Sequence, residues 1–216
     1  MLLRRFSKLF LPVPALVLVL VLAGCASSGP TSTSAGSSAA SGGGDEGMPV
    51  APAAALTMFE QASAIMAAGD YLDAELRFKE FLLRYPAYPG AHVNLAIIHA
   101  NNDNDEAARE SVAAALAINP DYAPALNQKG MLLRRNGNFL EAEAAYLKAV
   151  TANPDYALAH YNLGVLNELY LQRLDVALQH FELYQGLVGD DKQVEKWIAD
   201  LRRRVAANQR TANVAD

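Results

Sequence analysis

An all-α fold of repeated helical pairs is predicted by three regularities in the chain. Pro86, Pro120 and Pro154 stand thirty-four residues apart. Twelve residues before each proline lies an alanine (Ala74, Ala108, Ala142), and four after each alanine comes a larger side chain, Phe78, Val112 or Tyr146. A second series of small residues, Ala62, Ala96, Gly130 and Gly164, recurs at the same period. A self-similar period of this length marks a stacked array, because each unit buries its apolar face only against its neighbours.

The elements follow in order. In the first unit Phe59, Ala62, Ile65 and Met66 form one stripe of a helix that stops near Gly69 and Asp70. A second helix carries Leu72, Leu76, Phe78, Phe81 and Leu82 up to Tyr85 and Pro86. Glycine terminates the first helix by taking the left-handed conformation, and proline cannot continue the second. Asp103-Asn104 and Gly137-Asn138 occupy the same internal turn in the next two units. The small residues are expected at the tightest helix contact, Ala62, Ala96, Gly130 and Gly164 facing Ala74, Ala108, Ala142 and Ala177, where bulk would push the axes beyond their usual 8–10 Å. The fourth unit carries one extra residue in its turn, around Leu171 to Asp175, and ends in Gly189 rather than proline. A last helix, Lys192 to about Ala207, places Val194, Trp197, Ile198, Leu201 and Val205 on one face and suits the closing element that arrays require. Residues 208–216 are expected to be a disordered tail.

The length of the period and the A-x₃-F…P pattern resemble the tetratricopeptide repeat (TPR) family over about residues 55–189. The resemblance implies a superhelix of about four helix-turn-helix repeats (55–88, 89–122, 123–156 and 157–190) with a capping helix at 190–207. It also implies a binding scaffold rather than an enzyme. In that family the first helix of each pair lines a concave groove, which here would present Phe59, Met66, Asn94, Ile97, Gln128, Met131, Arg134, Tyr161, Asn162 and Val165 to a protein or peptide partner. Side-chain amides on such a wall can bond a peptide backbone while apolar neighbours form pockets. Asparagine at the Asn94/Gln128/Asn162 position also serves the fold itself in the family. Relatives that grip a C-terminal carboxylate set lysine and arginine beside it; Phe59, Val93 and Leu158 stand nearby here, so that clamp is not expected.

The first twenty-four residues read as a leader. Arg4, Arg5 and Lys8 precede an apolar stretch from Phe10 to Leu22, and no acidic residue occurs before Asp45. That stretch is shorter than the roughly 20 residues of a comfortable membrane span, so a cleaved signal peptide is expected. It ends Leu22-Ala23-Gly24-Cys25, which resembles the bacterial lipobox. The resemblance implies a diacylglyceryl-modified Cys25 and, with Ala26 rather than aspartate next to it, an outer-membrane, periplasm-facing lipoprotein. Cys25 is the chain's single cysteine, which excludes an intrachain disulfide. Residues 25–54, dominated by Ser, Gly, Ala, Thr and Pro, form a flexible linker because they lack the apolar surface to fold.

Without the leader, fifteen basic residues stand against twenty-three acidic ones, a formal charge near −8. Nucleic acid is therefore not an expected partner, since a phosphate backbone needs a concentrated basic face. Arg202, Arg203 and Arg204 form a basic cluster, for which a solvated helix face is preferred to an anion site. No metal or other cofactor is expected: the four histidines form no i, i+4 ligand pair and read as ordinary helix-surface residues, and Asn101 to Glu106 lacks the glycine and distal glutamate of a calcium loop. No nucleophile, phosphate-binding or zinc-hydrolase motif is present. Small lipidated repeat proteins that pilot a pilus or secretion channel resemble this layout. The stretch from Tyr184 through Leu201 also resembles repeat proteins of TonB-type energy transduction, and an adaptor for a cell-wall enzyme or small envelope ligand is the alternative.

Overall fold

A computed structural model describes residues 52–215, with side chains described to 210. The expected signal peptide, Cys25 and nearly all of the linker lie outside them. The described residues form nine helices: α1 (Ala53–Ala67), α2 (Tyr71–Arg84), α3 (Pro89–Asn101), α4 (Asp105–Ile118), α5 (Ala123–Arg135), α6 (Phe139–Ala152), α7 (Ala157–Leu169), α8 (Leu174–Val188) and α9 (Lys192–Ala215). Among them no helix is long and apolar enough to cross a membrane.

The helices pair as α1/α2, α3/α4, α5/α6 and α7/α8, and α9 packs on α8. The internal turns are made by left-handed residues, Gly69, Asp103, Gly137 and Gln172, with φ of 86°, 57°, 79° and 55°. Gln172 sits in the turn lengthened by one residue, so the insertion is absorbed without altering the turn's logic. Asp70 and Asn104 cap the helices that follow by accepting from the backbone N–H of Asp73 and Ala107. Between pairs, Pro89 opens α3 and Pro124 stands in the first turn of α5, where a missing N–H carries no penalty.

Within each pair the small residue of the first helix meets the large residue of the second. A Cβ on Gly130 would lie 2.5 Å from the Tyr146 ring, and one on Gly164 2.7 Å from Phe181. The atoms nearest each glycine thus belong to the aromatic four positions beyond the alanine expected from the sequence, which α6 and α8 turn onto the glycine. Tyr146 and Phe181 are fully buried as a result.

Successive pairs stack unevenly. Helices α1, α3, α5 and α7 touch in sequence, whereas no two of α2, α4, α6 and α8 do. The first helices therefore form a close-set inner wall and the second helices splay outward, which curves the array.

At the C-terminal end Gly189 stops α8 at φ 83°. Asp191 caps α9, accepting from the N–H groups of Gln193 and Val194. Val194, Ile198 and Leu201 are buried against Ala177 and Phe181, with Trp197 beside them. One expectation needs correction: the helix does not stop near Ala207 but continues to Ala215. Residues 208–215 contain neither glycine nor proline, and extending an existing helix is far easier than nucleating one.

Candidate functional site

The inner wall is the candidate site, and its residues differ in how much they offer. At the first repeat Phe59 is half-buried, edge-on to Phe78 and Phe81 at centroid distances of 5.6 and 5.7 Å and tilted against Tyr88 at 5.5 Å. Met66 packs on the same cluster. Both serve chiefly as core of the first helical pair. Asn94 is half-buried on α3, and Ile97 leans on the Val93, Ala115 and Ala125 cluster.

Gln128 and Asn162 are buried, at 5 and 6 % exposure. Asn162 donates through Nδ2 to Oδ1 of Asn127 at 2.9 Å, tying α7 to α5. Asn127 in turn directs its own Nδ2 to Sδ of Met131 at 3.8 Å. The amides read from sequence as a uniform ladder thus diverge: Asn162 joins two repeats, while Asn94 keeps a half-open position. Asn127, one residue from the expected ladder and aligned with Tyr161, is the partner that periodicity did not reveal.

Met131 and Arg134 lie one turn apart on α5. Met131 is 36 % exposed, and Arg134 makes no ion pair with a described residue. The Arg134 charge acts on Tyr146, but burial dominates and pushes that phenol up to about 12. Tyr161 and Val165 continue the wall on α7 and run into the terminal aromatic cluster. Tyr161 lies 5.9 Å from Phe181, 5.3 Å from Tyr184 and 6.1 Å from Trp197. These two residues join the wall to α9.

The arginine cluster of α9 is committed within the chain. Arg202 bonds Glu182 of α8 at 2.7 Å, Arg204 bonds Glu168 of α7 at 2.7 Å, and Arg203 bonds Asp200 at 2.9 Å. The Asn101–Glu106 segment is likewise engaged: Arg135 reaches back to Asp103, to Asp105 at 3.5 Å and to the Ala100 carbonyl at 2.7 Å. Exposed pairs of this kind contribute little to stability, yet they fix the register of adjacent repeats.

The histidines differ most from expectation, which placed them on helix surfaces. His160 is buried at 6 % exposure. Its Nε2 lies 3.0 Å from the Pro154 carbonyl and its Nδ1 3.1 Å from Nδ1 of His180. The periodicity of His92 and His160, two repeats apart, signalled a shared role: His92 interacts with the Pro86 carbonyl, and burial lowers its pKa. Among the described residues no group of three or more His, Cys, Asp or Glu could hold a metal ion.

Family models described as tetratricopeptide repeat match residues 65–129 and 127–192, together more than half of the chain. No curated protein matches at a significant level. Among solved structures, PilF of Pseudomonas aeruginosa is similar at 25 % identity and a TM-score of 0.62, over 72 % of each chain. TTC0263, a thermophilic TPR protein of Thermus thermophilus, shares 22 % identity at a TM-score of 0.60, covering 68 % of this chain and 80 % of that one. The first TPR domain of Spaghetti (RPAP3), bound to an HSP90 peptide, shares 16 % identity at a TM-score of 0.51, over 55 % of this chain and 95 % of its own. The last two likenesses concern the fold alone.

Proposed function

Because the chain belongs to the tetratricopeptide repeat family, we propose that it is a non-enzymatic scaffold that holds a protein or peptide partner along its inner wall. The observation that carries this reading is the wall itself: α1, α3, α5 and α7 stand side by side, with half-exposed Met131 at its centre and, one turn on, Arg134, which makes no ion pair with a described residue. A semi-apolar face with one cation suits an extended or helical segment carrying an apolar anchor and a carboxylate.

The leader pattern ending at Cys25 supports a lipid anchor, with the repeats facing the periplasm from the outer membrane and a Ser/Gly/Ala segment as tether. A root-mean-square span of roughly 25–30 Å for a flexible coil of this length keeps the scaffold near the membrane while leaving it room to reach. Of the envelope systems that such a lipoprotein serves, assembly of a pilus or secretion channel is favoured over TonB-type energy transduction. The likeness to PilF over most of both chains is compatible with the former.

Site-specific photocrosslinking in the native envelope tests the scaffold reading. A crosslinker at Met131 on the inner wall should capture a discrete partner that one at Leu147, exposed on the second helix of the same repeat, does not. Arg134→Glu should abolish that crosslink. Equal capture from both positions would defeat the inner-wall assignment.

A further inference from the structure

We propose that His160 and His180 form a proton-operated latch that holds the fourth helical pair and the α9 lid closed at neutral pH and loosens them in acid. The inference is independent of what the inner wall binds, and it starts from tautomers. The Pro154 carbonyl can only accept, so Nε2 of His160, 3.0 Å away, carries a proton. In the neutral ring that leaves Nδ1 of His160 as an acceptor, and Nδ1–H of His180 must donate to it across 3.1 Å. One chain of hydrogen bonds thus runs from α8 through α7 to the connector between α6 and α7.

Acid disturbs this chain in two steps. A first proton fits on Nε2 of His180 without breaking either bond, but it places a cation in a partly buried setting. A second must go to Nδ1 of His160, where two N–H donors and two cations would then face each other. Burial, and secondarily His160, hold the pKa of His180 down at about 4. The neighbouring Tyr156, at the N-terminus of α7, is neutral throughout this range, and burial pushes its phenol further up to about 12. The carboxylates on the packed elements are Asp155 in the connector, Glu168 on α7, Asp175 and Glu182 on α8, Glu141 and Glu143 on α6, Asp190 and Asp191 before α9, and Glu195 and Asp200 on α9; Asp191 accepts from Tyr184 and Asp200 pairs with Arg203. Glu168, Glu182 and Glu143 are engaged by Arg204, Arg202 and Arg173. Lys148 of α6 is turned to Asp121 and the Pro120 carbonyl.

The direction follows from linkage. The folded pKa of His180 lies below the ordinary value of 6.5, so the unfolded or opened state binds the proton first. The latch is fully closed above pH 6.5 and its contribution is lost as the pH falls from there toward about 4. Each unit of difference between the two pKa values corresponds to a tenfold change in the opening equilibrium.

The chain supplies both its own reporter and its own control. Trp197, the single tryptophan, packs 5.7 Å from Phe181, the residue after His180, and 6.1 Å from Tyr161, the residue after His160. In the third repeat the equivalent positions are Leu126 and Ala145, both buried. A His160→Leu, His180→Ala double variant therefore copies a pairing that the array already accommodates.

The experiment follows Trp197 fluorescence from pH 8 to pH 4 in the full repeat domain, with far-UV circular dichroism as the measure of overall helicity. The wild-type protein should show a reversible transition below pH 6.5, with opening at least tenfold more favourable at pH 4.5 than at pH 7.5 and most helicity retained. The double variant should fold to the same helicity at neutral pH and lack the transition. The same transition in both proteins would overturn the latch and assign it to the carboxylate–arginine pairs of α9. No transition in either would overturn it as well. A further titration with zinc or nickel ions at pH 7.5 should leave the wild-type thermal midpoint unchanged. A rise that the double variant lacks would overturn the latch in favour of a two-imidazole metal site.

Discussion

The backbone of Gly130 passes so close to the side chain of Tyr146 that a Cβ there would stand 2.5 Å from the ring. Tyr146 is fully buried and wedged among Ala142, Leu163 and Leu166, so it cannot swing aside. Gly130→Leu should therefore destabilise the domain by about 1–3 kcal/mol or more, the range typical of overpacking. Gly137→Leu, although strained by the positive φ of 79°, meets nothing within 4 Å and should cost less. Thermal midpoints for the two variants check this, and a Gly130 variant as stable as the parent would refute the contact.

The polar link between Asn127 and Asn162 gives a second expectation. Both amides are more than nine-tenths buried, so deleting one leaves its partner with an unmet hydrogen-bonding group, for which about 1–3 kcal/mol is lost. Asn162→Ala and Asn127→Ala should each destabilise the array by that order. The double variant should fall well short of the sum, as expected of two groups in one interaction. Denaturant unfolding of the four proteins measures the coupling, and strict additivity would show that the bond contributes nothing.

Much of this architecture is legible in the residues and some of it is not, for identifiable reasons. The 34-residue period locates the four helical pairs because proline, alanine and glycine act through backbone sterics, which depend on position alone. Even the extra residue near Leu171 is visible, since Ala177 falls one place late; the structure puts its left-handed residue at Gln172. Which side chain fills the space over Gly130 is less legible, because Ala142 and Tyr146 lie on the same helical face and only the rotation of α6 decides between them. The inner wall is hardest. Asn94, Gln128 and Asn162 share a register, yet Asn162 turns to Asn127 in the preceding repeat, a contact that period counting within a repeat does not reveal. His160 reads as a surface residue in the sequence because its partner His180 lies on the other helix of the pair, twenty residues away.

The proposed lipid anchor at Cys25 carries its own prediction. Anchoring through acyl chains scales with buried methylenes at about 0.8 kcal/mol each and takes more than one chain to be stable, and on this proposal retention does not need the repeats. Cys25→Ser should leave the circular dichroism spectrum and the thermal midpoint of the repeats unchanged while moving the protein out of the membrane fraction. Unaltered retention after fractionation would count against the lipoprotein reading without touching the scaffold.

The lid offers the most demanding test of how the array closes. Val194, Ile198 and Leu201 are almost wholly buried, and burying each such side chain is worth about 1.5–3 kcal/mol. Trp197 adds its contacts with Phe181 and Tyr161, and the Arg202–Glu182 and Arg204–Glu168 pairs hold the helix in register. Truncation after Asp190 removes all of these together. It exposes the faces of Phe181 and Tyr161 with their neighbours Leu174, Leu178 and Val165, a contiguous apolar surface of the kind that drives association. The truncated domain should bind a hydrophobic dye, sediment as an associating species and unfold at a lower temperature than the parent. A truncated domain as monomeric and as stable as the parent would mean that α9 is dispensable to folding. Its aromatic anchor Trp197 would then be better assigned to capture of a partner than to closing the array.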